Sequence, residues 1–167
     1  MSALTEEINE ATSPGVVESG PLAAALQDLL SDLAALRVQA KQAHWNLVGY
    51  DFPHLRLQLD DTVTLARDFS DAIAERMRAF GAIPDNRAPT RAATAQLTPL
   101  PSTPAAISET VDLVAHVRDT SIKVRNIQDR IKADRLSSDL FSDVIDQLEK
   151  QAWMLSAETG IAQRSRR

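Results

Sequence analysis

Apolar residues recur every three or four positions through most of this chain, and nowhere do they settle into alternation. The first series runs Leu22, Leu26, Leu29, Leu33, Leu36 and Ala40. Such spacing lays one apolar stripe along an α-helix, because about 3.6 residues complete a turn. A second series, Leu55, Leu59, Ala66, Phe69, Ile73, Met77 and Phe80, obeys the same rule. A third follows at Leu113, Val117, Val124, Ile127 and Ile131, and a fourth at Leu140, Val144, Leu148, Ala152 and Leu155. A strand needs a side-chain period of two, so the chain is expected to be all-α.

Breakers fall between the series. Helix one is expected to reach Leu47 and stop at Gly49. Asp51 suits the N-cap of helix two, with Pro53 in its first turn, where a missing N–H costs nothing. Gly81 with Pro84 beyond it ends that helix. Residues 81–106 hold Pro84, Pro89, Pro99, Pro101 and Pro104, with an Ala-rich run from Thr90 to Gln96 that predicts a short helical piece. A connection of this length is a crossover, not a tight turn. Helix three is expected over Ala105–Ala133 and helix four from near Ser137 to Ala162. The expected architecture over residues 21–162 is a four-helix bundle with a long crossover carrying a short extra helix. Residues 1–20 carry Glu6, Glu7, Glu10 and Glu18 without a Lys or Arg and read as a flexible acidic tail, and 163–167 read as a basic one.

A chain of 167 residues can bury a core as one domain. With no cysteine, it has no disulfide, zinc–thiolate site or thiol nucleophile. No basic-then-apolar leader opens it and no run of about 18 apolar residues interrupts it. It is therefore expected to be cytoplasmic, without a membrane partner. A formal charge of −5 argues against a surface that grips nucleic acid everywhere.

One constellation carries chemistry. His44 precedes Asp60, Asp71 and Glu75, and the steps of eleven and four residues keep the three acids on one helix face. Oxygen and nitrogen donors of this kind suit a metal site in a helical bundle. Asp60 and Asp71 nevertheless stand about 16 Å apart along the axis, too far for one ion to bridge. Either two sites result, or one site is assembled from two chains paired about a two-fold axis. A solvated helix face would show the same acid spacing, and then no metal would bind.

The segments KQAHWNLVGYDF, LQLDD and DAIAERMRAFGAIP, with a weaker EKQAW at Glu149–Trp153, resemble the Dps family of ferritin-like mini-cages. That resemblance implies a ferritin-like four-helix bundle assembled into a dodecameric shell. Such a shell oxidises Fe(II), with hydrogen peroxide or oxygen as oxidant, and stores the ferric iron inside. It also implies a ferroxidase site in which His44 and Asp60 of one subunit face Asp71 and Glu75 of another, with Trp45 beside it. One position departs: Arg56 stands where the family pattern has a second histidine. Guanidinium has no lone pair to give a metal. Arg56 is expected instead to pair with Asp60 one turn away, repel the cation and slow oxidation.

Iron must also enter. The family implies pores lined by acids near the start of the last helix, where this chain has Asp134, Asp139, Asp143 and Asp146. Acids there also simply complement a helix dipole. DNA binding, the family's other activity, is expected to be weak or absent. The N-terminal tail is acidic, and only Arg164, Arg166 and Arg167 offer charge to phosphate, so a nucleoid association would rest on those. The alternative function is a stress-protective or DNA-associated cage without catalysis.

Overall fold

The computed structural model describes residues 19–47, 53–95, 106–130 and 135–164, with backbone alone for 19, 106–109 and 161–164. Among these the structure is helical, without a strand: α1 (Ser19–Asn46), α2 (Pro53–Ala79), α3 (Ala88–Thr94), α4 (Ala106–Arg130) and α5 (Arg135–Arg164). The expected bundle forms. α1 begins at Ser19, a turn ahead of the first readable apolar residue, because Pro21 in a first turn needs no N–H partner. α5 runs to Arg164, into the stretch expected as a basic tail. Asp51, Ile131 and the N-terminal 1–18 lie outside the described residues.

The four long helices pack in a ring, α1 on α2, α2 on α5, α5 on α4 and α4 on α1. Cross-links between neighbours set their directions. Gln39 and Asp32 meet His116 and Lys123 in descending order, so α1 and α4 are antiparallel. Gln151 meets Gln58 and Thr62 while Arg76 meets Ser137, so α2 and α5 are antiparallel too. Ser121 meets Glu149 and Gln128 meets Ser142, so α4 and α5 are antiparallel as well, and α2 and α4 run the same way. The connection between them must carry the chain back along the bundle, which is why it is long.

The stripes fill the centre. Leu26, Leu29, Leu33 and Leu36 of α1, Leu55, Leu59 and Ile73 of α2, Leu113 and Val117 of α4, and Phe141 and Leu148 of α5 are buried together. Full burial of one such side chain contributes about 1.5–3 kcal/mol. Phe80 and Leu140, expected inside, are only partly buried at its margin.

α2 stops as its glycine demands. Gly81 takes φ 78°, its N–H bonds the Arg78 carbonyl at 3.0 Å, and the Ala82 N–H bonds the Met77 carbonyl at 2.9 Å. That pattern is a Schellman cap, and a side chain at Gly81 would be strained although space is open around it. The crossover then docks on α1. Gln27 donates to the Asp85 carbonyl at 2.7 Å and accepts its N–H at 2.9 Å, and Ser31 meets Thr94 at 2.6 Å. α3 lies over α1 in consequence.

Candidate metal centre

Antiparallel packing sets the last turn of α1 beside the second turn of α2. His44 and Asp60 meet there: His44 Nδ1 is 2.9 Å from Asp60 Oδ1. Lys41, one turn before His44, brings its Nζ to 2.9 Å from the same oxygen. The histidine nitrogen is buried and yet has no aligned hydrogen-bond partner. Its approach to Asp60 is close but lies off the axis a hydrogen bond needs. The Lys41 hydrogen bond holds the Asp60 carboxyl below its usual range; partial burial opposes this, and His44 adds to it.

A buried imidazole nitrogen without an aligned partner, beside an ionised carboxylate, offers one nitrogen and one oxygen donor of the kind that can ligate a metal. Asp71 and Glu75 do not join the pair within this chain. Asp71 and Glu75 are exposed on the outer face of α2, about 16 Å and about 22 Å along the axis from Asp60. Among the described residues no three His, Asp or Glu side chains of one chain converge on a point that could hold a metal. The structure thus brings His44 and Asp60 together and leaves Asp71 and Glu75 apart from them.

Arg56 behaves differently from expectation. The pair with Asp60 does not form; Nη2 of Arg56 donates instead to the main-chain carbonyl of Leu47, just past the end of α1. The reason is reach. An arginine at the start of α2 can span to the α1 terminus, where unpaired carbonyls and the negative end of the helix dipole attract a cation. Asp60, meanwhile, has already taken Lys41.

Lys41 was not among the residues expected at the site. A signal for it exists: it lies three residues before His44, which puts the two on one face of α1.

Trp45 is 66% exposed and Val38 56%. Together with Arg37, Lys41, Gln42, Val63 and Arg67 they line a groove of about 450 Å³ along α1 and α2, next to Asp60. Trp45, Val38 and Val63 give the groove its apolar surface, bordered by the polar ends of Arg37, Lys41, Gln42 and Arg67; Trp153 on α5 is exposed to a similar degree.

Of the remaining candidates, three acids are described on α5. Asp139, Asp143 and Asp146 are exposed near the start of α5; Asp139 lies 3.9 Å from Arg135 and Asp143 accepts from Gln147 at 3.0 Å. Asp134, Arg166 and Arg167 lie outside the described residues, and Arg164 closes α5. His116 bonds Gln39 at 2.7 Å, a link between α4 and α1. No helix among the described residues is long and apolar enough to cross a membrane.

Comparison with known proteins agrees with this architecture. Residues 23–164 match the ferritin family model, a ferritin-like domain. The chain is 33% identical over 162 residues to the fine tangled pili major subunit of Haemophilus ducreyi, covering 93% of this chain and 86% of that one. It is 31% identical over 135 residues to DNA protection during starvation protein 2 of Deinococcus radiodurans, covering 80% of this chain but 56% of that protein's length. Dps from Microbacterium arborescens, solved in its high iron form, superposes with a TM-score of 0.79 at 28% identity, covering 90% of this chain and 99% of that one. The chain belongs to the ferritin-like family, in its Dps branch.

Proposed function

We propose that this chain assembles into a closed homo-oligomer, a dodecamer, that oxidises Fe(II) and stores the ferric product, protecting the cell from peroxide. Hydrogen peroxide accepts two electrons, one from each of two Fe(II) ions, so both reagents of hydroxyl-radical chemistry are consumed together. The observation that carries the reading is the buried His44 nitrogen, 2.9 Å from Asp60 yet without an aligned partner. Asp71 and Glu75 lie on the same helix face as Asp60, about three to four turns further along α2. Two copies of α2 laid antiparallel bring Asp60 of each toward Asp71 and Glu75 of the other, twice per pair. The exposed Trp45 and Val38 groove is the apolar surface that such pairing would cover.

In this site His44, Asp60, Asp71 and Glu75 are the ligands for iron as substrate, and Trp45 lies beside them. Arg56 supplies no ligand, so one cation position has fewer donors than the other and oxidation is slower than with a full set. Asp139, Asp143 and Asp146, exposed on one face of α5, are the proposed lining of the entry pores, where they raise the local cation concentration. DNA contributes little as a partner.

Subunit mixing tests this reading. Asp60→Asn and Asp71→Asn cages, each prepared alone, are expected to oxidise Fe(II) at least about 10-fold more slowly than wild type after peroxide addition. Refolding the two variants together creates interfaces in which one of the two half-sites is intact, so part of the rate should return. If the mixture stays as slow as its components, the shared site is wrong. Equal rates for all three would indicate a cage without this catalysis.

A further inference from the structure

The departure at Arg56 has a structural use. Leu47 follows the last residue of α1 and is 1% exposed. Its N–H is shared between the carbonyls of Ala43 at 3.2 Å and His44 at 3.3 Å, which closes the final turn. Its own carbonyl lies past the helix, where no later N–H of α1 can reach it. A buried carbonyl needs a donor, and Arg56 supplies one. The guanidinium also places a permanent charge at the negative end of the α1 dipole. His44 sits in that same turn, and its main-chain oxygen is one of the two that receive the Leu47 N–H.

We infer that Arg56 is a positioning residue. It clamps the end of α1 onto α2 and so holds His44 against Asp60 whether or not a cation is bound. The cation site itself rests on the function proposed above; the clamp does not. Arg56 stands in the α2 row that also carries Asp60, yet its charge is directed at Leu47 and away from the carboxylate, which has Lys41 as its ammonium partner. A histidine in its place would be too short to serve both ends. On this view the chain carries a metal-independent tie where the family pattern carries a ligand.

The clamp and a simple charge barrier predict opposite signs. Arg56→Met keeps the length of the side chain and removes both donor and charge; Arg56→Lys keeps a charged donor of similar reach. With Co(II) as the probe, followed by its visible absorption in the assembled full-length protein, the clamp predicts binding to Arg56→Met about 10-fold weaker than to wild type. Arg56→Lys should bind within about 3-fold of wild type, since its donor is retained. In chelator, Arg56→Met should melt lower by about 3–8 °C, with Arg56→Lys close to wild type. Tighter or unchanged Co(II) binding by Arg56→Met would overturn the inference, because relief of repulsion, not loss of a tie, produces that. So would an Arg56→Met melting temperature equal to that of wild type. Should wild type fail to bind Co(II) at all, the cation-site reading falls, and the melting comparison alone decides the clamp.

Discussion

Between the packed helices, fully buried Asp32 meets the Lys123 ammonium, Gln151 donates to Gln58 and to Thr62, and half-buried His116 meets Gln39. Polar groups there find matched partners within one chain. On the face shared by α1 and α2, a buried histidine nitrogen lacks an aligned partner, two acids stand bare, and a tryptophan projects outward. The same helices present both surfaces. The inward side is finished by intramolecular contacts, and the outward side is not. Folding accounts for the first; the assembly and cation site proposed above would account for the second.

The largest effect should come from breaking the interior. Lys123→Met deprives the buried Asp32 carboxylate of its ammonium, and separating a buried pair this way costs about 3–5 kcal/mol. Chemical denaturation should show that loss, and the double variant Asp32→Leu with Lys123→Met should regain most of it. If Lys123→Met alone is as stable as wild type, the interior depends less on pairing than described.

Next in size is the outer face. Trp45→Ala should leave the melting of the individual bundle nearly unchanged while weakening subunit association by about 2 kcal/mol per contact, as an interface tryptophan does. Sedimentation velocity should then report a smaller species at low protein concentration. An assembly of unchanged size would mean that the Trp45 groove faces solvent.

The smallest effect concerns the crossover. Arg87 chiefly, then Thr90, hold the Asp85 carboxyl well below the usual carboxylate range. A lowered folded pKa contributes stability that is present above the unfolded value and lost as pH falls toward the folded one. Asp85→Asn should therefore be slightly less stable than wild type at neutral pH, and the gap should close as the solution is taken below about pH 4. A gap that persists in acid would assign the effect to the altered side-chain hydrogen bonding with Arg87 and Thr90 and not to the charge.

Much of the fold was legible because it depends on spacing. Leu22 to Ala40 and Leu55 to Met77 are buried as their three-and-four pattern requires, and Gly81 ends α2 with the left-handed turn that glycine favours. His44 and Asp60 were legible as neighbours for the same reason: one ends a helix and the other begins the next. Partner choice among long side chains was not. Lys41 and Arg56 can each span several ångströms in many rotamers, and which acceptor each one takes depends on where the helix ends meet in space. The crossover's anchors were hidden likewise, since Gln27 binds the backbone of Asp85, and a backbone group carries no signature in the sequence.

Consider finally how α2 is fastened. On its inner side Gln151 grips the turn at Gln58 and Thr62, and Arg76, stacked on Phe80, reaches Ser137 near the other end. Bolted at both extremities, the helix serves as a measuring rod. In the pairing proposed above, the interval from Asp60 to Asp71 would be a fixed gauge that a reversed copy has to match stroke for stroke. Adding or deleting one residue within it would turn the far pair of acids by about 100° and spoil the register at both ends in a single event.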